Sequence, residues 1–484
     1  MEGTQTGAGA DYRPEPQLPP SRAYLGASPQ IIAGILLLCV VLAVLLVVSP
    51  KYLLVFVAAL LVVGLTIAYP YAGLLIMVAF IFLRPGERFP ALHALHIARL
   101  QAALLIFVWL VQRHLRRKPA LVRHRLGTTF VVGAVVITLS ATAAVWKHPS
   151  FAYLAEYLYM LVLFFATIDL VDSERRLKGY LWLMVGIMTF LSVEQLLGLG
   201  ESTGMAGEVL REGGMGTALA DTNEFGLAIL FFLPFAFYAA LSVNGKWLRV
   251  ALLGVCGVLV ASVIATGSRG AVVGFLALCI ALWSKSKHKF LVGLGLAVLV
   301  IALWFAAPSA YRARVASILN YQQEENATVR RDAWNAGLHM FMRHPLLGVG
   351  PTNFPIEYGN QTGSKWIAAH SLYMQALAEL GTVGVVWAFF LIVYIFRTAR
   401  ASQRRLQKLG GPLKFPWATA YAVETSFVSF LVAGAFLSCL YYSYVWILAG
   451  LAVILDLQTQ KLSAPKEVVA APAVHVYEQA ALPD

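Results

Sequence analysis

The run "VIATGSRGAVVGF", Val263 to Phe275, is apolar on both flanks and carries Arg269 behind a Thr-Gly-Ser and in front of a glycine. An unpaired arginine near a bilayer centre costs about 2.5 to 3.5 kcal/mol on insertion scales. Arg269 therefore belongs at a membrane edge or beside a partner. Further along, "NATVRRDAWNAGLHMFMRHPLLGVGPTNF" sets Arg330 four residues before Trp334, on one face of a helix, and includes His344. His370 heads the next apolar run in "AAHSLYMQALAELG". Arginine clamps oxyanions through charge-assisted bonds, and histidine exchanges protons near neutral pH. Arginines and histidines gathered on one surface would bind an anion and move a proton.

The elements that must position them are membrane spans. Of the 484 residues 59% are hydrophobic and 13% charged, and the mean hydropathy is +0.73. That excludes an ordinary soluble domain. Cys39, Cys256, Cys279 and Cys439 lie inside apolar runs without the spacing of a metal site or disulfide framework. The net charge of +13 resides largely in short clusters between apolar runs, a pattern of membrane orientation that argues against nucleic-acid binding.

About fourteen apolar runs are candidate spans, from Ile31–Val48 to Leu440–Leu455, the third and tenth being short. The expected fold is all-α, a polytopic membrane protein of about 12 to 14 transmembrane helices with one large periplasmic loop containing short helices. With the N-terminus inside, "QRHLRRKPALVRHR", "DSERRLKG", "NGKWLR", "SKSKHK" and "RTARASQRRLQKLGGPLK" fall on the inner face. Roughly 24 of the 37 Lys and Arg residues then lie inside. The expected organisation is a cytoplasmic tail at 1–29, an N-terminal bundle at 30–197, and helices with an outer loop and the SRGA hairpin at 198–306. A large periplasmic catalytic loop at 307–371, C-terminal helices at 372–457 and a second cytoplasmic tail at 458–484 complete it.

This parity puts Arg269 at the outer mouth of two antiparallel spans, with Gly267 and Gly270 permitting the tight turn. The outer loop should hold a helix of about 15 residues stopped by Pro345. Gly348 and Gly350 read as a turn that could face a ligand. Helical spacing puts His370, Tyr373, Met374 and Leu377 on one face and Glu379 on the other. In "GEVLREGGMGTALADTNEFG", Arg211 precedes a glycine-rich turn, and Asp221 is a helix N-cap with Glu224 three residues later.

Taken together, these segments resemble the O-antigen ligase and O-antigen polymerase superfamily of bacterial envelope glycan enzymes. The carrying residues are SRGA at Ser268–Ala271, Arg330 with Trp334, HPLLGVGPTNF at His344–Phe354 and AHSLYMQALAELG at Ala369–Gly381. DTNEFG at Asp221 is similar to the family's Asp-Pro-Asn segment with threonine for proline, and Ser371 stands where many members have asparagine. The resemblance implies transfer of a preassembled glycan from an undecaprenyl-diphosphate carrier to an acceptor, foremost lipid A core, at the periplasmic face of the inner membrane. It implies that Arg269 and Arg330 hold the diphosphate and that His370 serves the acceptor.

The residues themselves agree with that chemistry. Arginine forks suit diphosphate oxygens, with Arg211 as a third candidate, and His370 suits a general base, with His344 in reserve. Trp334, Asp221, Asn223 and Tyr373 are the supporting candidates. A diphosphate is already a good leaving group and the outer segments lack a carboxylate cluster for Mg²⁺, so the expected reaction is inverting and needs neither metal nor cofactor. The expected partners are the lipid-linked glycan, lipid A core or another glycan acceptor, and membrane lipids. Alternatives within the class are an O-antigen or exopolysaccharide polymerase and a protein O-glycosylation ligase. Outside it stands a lipid-linked oligosaccharide flippase or transporter, which would carry internal repeats and mid-membrane charges.

Overall fold

The computed structural model describes residues 50–85, 96–117, 123–198, 221–306, 309, 312, 325–363, 366–409 and 414–463. Arg211, the first expected span, the first tail and residues 464–484 of the second lie outside them; the start of the second expected tail, 458–463, is instead the end of the last helix. Fifteen helices are described: α1 (Pro50–Ala68), α2 (Pro70–Leu83), α3 (Ile97–Leu115), α4 (Arg125–Thr142), α5 (Lys147–Leu170), α6 (Glu174–Leu196), α7 (Thr222–Ser242), α8 (Lys246–Ala265), α9 (Arg269–Lys285), α10 (Lys289–Ala306), α11 (Glu325–Arg343), α12 (Phe354–Thr362), α13 (Leu372–Lys408), α14 (Lys414–Gly434) and α15 (Tyr444–Ser463). No strand occurs among the described residues. The chain divides into two units, one ending at Val62 and the other running from Val63 onward, which holds α2 to α15.

Seven described helices, α4 to α8, α13 and α15, are long and apolar enough to cross a membrane, and α2 and α10 are shorter apolar helices. The protein is all-α and multi-pass. At its centre is α7, which reads apolar on every side because it is buried on every side, from Phe225 through Ala240 with few interruptions. It packs on α6, α8, α9 and α14.

Small residues let α9 approach this core closely. A Cβ added at Gly274 would stand 2.8 Å from Leu230 Cδ1 and 2.9 Å from Ala433 Cβ, and one at Gly226 would stand 2.7 Å from Ala271 Cβ. Gly274 against α7 and α14, and Ala271 against Gly226 of α7, are close small-residue contacts, a packing device suited to lipid, where close backbone approach replaces the hydrophobic drive. Ser429 Oγ donates to Gly274 O at 2.9 Å across the same seam.

The sequence reading has α13 as one uninterrupted span ending near Phe396. Instead α13 breaks at Gly381 (φ 62°, ψ −162°) and runs on to Lys408. In an unbroken helix Thr382 N–H would donate to Ala378 O and Val383 N–H to Glu379 O. Here Val349 N–H donates to Ala378 O (2.9 Å) and Gly350 N–H to Glu379 O (3.0 Å), while Thr382 N–H donates to Pro345 O (2.9 Å) and Val383 N–H to Leu346 O (3.1 Å). The segment after α11 replaces the bonds that the break removes. Ser140 of α4 adds a donor 2.7 Å from Leu347 O.

Gly348 and Gly350 form the turn expected of them, and the ligand-facing alternative gives way to packing. A Cβ at Gly348 would meet the Glu379 carbonyl carbon at 2.3 Å, and one at Gly350 would meet Ala144 Cβ at 2.3 Å. Both have positive φ, +68° and +103°. Their glycines serve backbone contact, with no room for a ligand.

The lower half of α13 explains its extra length. Arg400 Nε meets Glu424 Oε1 at 2.8 Å, joined there by Lys285 Nζ at 2.6 Å from Oε2, and Gln403 donates to the same carboxylate at 2.7 Å. Arg405 pairs with Asp456, which lies 3.4 Å from His124 Nε2. These ionic contacts bind one end of the bundle. Elsewhere the start of α9 meets the start of α7 through Ser268 and Asn223, and the segment before α5 meets residues 349–353, Val145 N–H donating to Val349 O and the Asn353 amide to Trp146 O.

Gly348→Ala should lower stability by about 2 kcal/mol or more, through positive φ and backbone overlap together. Gly186, in α6, has nothing within 4 Å of an added Cβ, and Gly186→Ala should be neutral or gain up to about 1 kcal/mol of helix propensity. Thermal unfolding of the detergent-solubilised chain distinguishes the two; equal melting points would disprove the backbone-contact account.

Candidate active site

Two helix starts frame the site. Asp221 caps α7, its Oδ1 accepting from Asn223 N–H (2.7 Å) and Glu224 N–H (3.3 Å). Ser268 caps α9, accepting from Ala271 N–H at 3.2 Å. One bond joins them, Ser268 Oγ donating to Asn223 Oδ1 at 2.7 Å. Gly267, at φ +62°, makes the turn that the sequence reading required of it. Arg269 follows as the first residue of α9, where the helix dipole adds partial positive charge to its guanidinium. Glu224 does not complete a capping box; its carboxylate accepts from the Tyr442 hydroxyl, with the cation of Arg84 nearby.

The third strand of the site is the entry to α13. Ser371 is the N-cap of that helix, so His370 lies outside it, at φ +48°. The helical-wheel placement of His370 beside Tyr373 and Leu377 is therefore corrected: its direction is set by a left-handed backbone. A non-glycine residue in that region costs on the order of 1 kcal/mol or more and persists where neighbours fix it. Two neighbours do so. His370 N–H donates to Ser438 Oγ at 2.8 Å, and Trp334 Nε1 donates to Ala369 O at 3.0 Å. Trp334 thus ties the chain before His370 to α11, one turn from Arg330.

The hairpin at 435–443, which carries Ser438, is itself stitched to α13. Leu440 N–H donates to Gln375 Oε1 at 3.2 Å. The Glu379 carboxylate, fully buried, accepts from Phe354 N–H at 2.9 Å and from the Tyr441 hydroxyl. Through Tyr441, Glu379 braces the hairpin that holds His370. Beneath α11, Ala333, Ala336 and Met340 pack with Val349, Phe354, Tyr358 and Ala369 in a small separate core. This core carries the Arg330 helix onto the His370 segment.

Electrostatics put His370 with Arg330 and Asp221. Burial first, then the Arg330 guanidinium, push the imidazole below its ordinary value of 6.5, and Asp221 pulls the other way. At neutral pH the ring is neutral and can accept a proton. The structure thus draws Arg330, His370 and Asp221 into one field, and Asn223 ties in the segment of Arg269. His344 stands apart: it lies beyond the far end of α11, about 20 Å along the axis from Arg330. Tyr373 gives its hydroxyl to Leu431 O at 2.9 Å near the end of α14, a bracing role. Ser438, Gln375, Tyr441, Tyr442 and Arg84 escaped the sequence reading. Their signals were an unexplained serine and tyrosine cluster, "FLSCLYYSYVW", and the arginine of "FLRPGERF".

Residues 254–389 match the O-antigen ligase family. The chain carries an O-antigen ligase domain. No curated protein matches the chain. The O-antigen ligase domain takes in Arg269, Arg330, Trp334, His344, His370 and Tyr373, together with the Gly381 break and the glycines that repair it. Asp221 and Asn223 precede it and join the site through Ser268. A ligase or polymerase type of glycan chemistry goes with this domain.

Removing each charge should move His370 in a known direction. In an NMR titration of histidine-labelled protein, its midpoint should lie below 6.5, fall further in Asp221→Asn and rise in Arg330→Gln. A midpoint unmoved by either substitution would separate the three residues.

Proposed function

We propose that the protein transfers a preassembled glycan from an undecaprenyl-diphosphate carrier to an acceptor hydroxyl, foremost on lipid A core, at the periplasmic face of the inner membrane. The observation that carries this reading is His370, held neutral beside Arg330 and Asp221 at the entry to α13, with the start of α9 that Arg269 opens tied to the Asp221 segment by the Ser268–Asn223 bond. An apolar cavity of about 280 Å³ between α8, α9 and α10 supports a lipid-borne donor. Val272 and Phe275 line it within two turns of Arg269 on α9, with Val263 of α8 and Trp304 of α10 completing the wall. A polyprenyl chain lying there would bring its diphosphate to the Arg269 end.

In this reading His370 takes the proton of the acceptor hydroxyl as that oxygen attacks the anomeric carbon. The bond from that carbon to the diphosphate oxygen breaks with its electron pair, leaving the diphosphate on the carrier. Arg269 and Arg330 hold the charge that grows there, each interaction strengthening towards the transition state. Asp221 favours the imidazolium that results. Attack opposite the leaving group inverts the anomeric carbon. Trp334 and Ser438 are positioning residues, acting through the backbone on either side of His370.

Purified protein in liposomes, given labelled carrier-linked glycan and lipid A core, tests the reading. His370→Ala should lose about 10²-fold or more in rate. Arg269→Gln and Arg330→Gln should lose about 10²- to 10³-fold, and Arg269→Lys should keep part of the activity because it keeps the charge without the fork. Full activity in His370→Ala would remove the general base. Full activity in Arg269→Gln would return Arg269 to an ordinary membrane-edge charge. Product on glycan repeats in place of lipid A core would make the enzyme a polymerase, and retention of the donor's anomeric configuration would exclude single displacement.

A further inference from the structure

A second site lies at the opposite end of α9 from Arg269, about 25 Å along that 17-residue helix. There a cavity of about 860 Å³ opens where α7, α9, α10, α13 and α14 all begin or end. Its rim is basic: Lys285 and Lys287 line it as cations and His288 as an imidazole, and no carboxylate lines it. Lys285 is already neutralised by Glu424, at 2.6 Å. Among the described residues no carboxylate pairs with Lys287 or His288. His288 N–H donates to Ser286 Oγ at 3.0 Å, which fixes the turn entering α10 and keeps Lys287 on the rim.

One wall is aromatic. Trp417 and Tyr421 stand 4.7 Å apart between ring centroids, and Tyr238 lies 6.1 Å and 5.8 Å from them. Phe237, Leu241, Leu282, Val292, Leu296 and Leu406 supply the rest of the apolar lining. Tryptophan and tyrosine rings beside lysines at the ends of apolar helices mark headgroup depth in a bilayer. A cavity that joins a cationic rim to an aliphatic and aromatic wall at that depth matches a phosphodiester headgroup with the upper part of its acyl chains.

We propose that this cavity binds an anionic phospholipid, its phosphate at Lys287 and His288 and its chains against Tyr238, Trp417 and the leucines. A soluble phosphate would have no use for the apolar wall, and a zwitterionic lipid would set a cation against the rim. The site is independent of the glycan-transfer reading, and its test involves no turnover.

The full chain, delipidated in detergent, is titrated with phosphatidylglycerol, phosphatidylcholine or inorganic phosphate, and bound lipid is counted by native mass spectrometry. Phosphatidylglycerol should bind selectively. Lys287→Gln with His288→Gln should weaken it by about fivefold or more, the effect of one to two headgroup charges. Lys287→Arg should retain binding. Leu296→Trp, which fills the cavity and leaves the rim charges in place, should also weaken it. Equal adducts with phosphatidylcholine, competition by phosphate alone at matching concentration, or undiminished phosphatidylglycerol binding in both the double variant and Leu296→Trp would each overturn the assignment.

Discussion

The site rests on one exchange of backbone hydrogen bonds. A helix broken inside apolar surroundings leaves carbonyls and amides without water to satisfy them, at a cost of a few kcal/mol each. At Gly381 the lost bonds are replaced by four others, all to residues 345–350. Because each replacement is specific to one donor and one acceptor, the register of that segment against α13 is fixed to the residue. Everything hung from the segment is then placed: α11 with Arg330 and Trp334 before it, α12 with its Phe354 N–H on Glu379 after it.

The sequence was informative where chemistry and local structure coincide. Asp221 is a short polar residue before an apolar run and is the cap it was expected to be; Ser268, read only as part of the SRGA turn, caps α9 in the same way. Arg269 and Gly267 were legible because a charge and a turn interrupt an apolar stretch. The wheel argument failed at His370 because it assumed helical φ and ψ through a residue that lies before the cap. It failed at Gly381 because a glycine inside a long apolar run signals both a close packing contact and a break. Nothing local decides between them; the deciding partners sit more than thirty residues upstream. The same distance hid Ser438, which reaches His370 from 68 residues away.

The charges around His370 are arranged in opposition. Arg330 lowers the proton affinity of the ring and Asp221 raises it, so the two charges oppose each other at one imidazole. Asp221 is committed to its cap at the same time, which keeps its carboxylate at a set distance from the histidine. A capping residue thus doubles as a fixed electrostatic reference, and its structural explanation does not exhaust it.

Order of synthesis adds a temporal side to the Gly381 exchange. Residues 345–350 and Ser140 leave the ribosome before residues 378–383 do. The broken helix therefore arrives after its replacement partners already exist. Ser438 and Tyr441 come later still, so the backbone of α13 can be secured while His370 is not yet held. The left-handed turn at His370 is fixed only when Ser438 arrives, 68 residues later, so the exchange at Gly381 can form before the bond that orients the histidine.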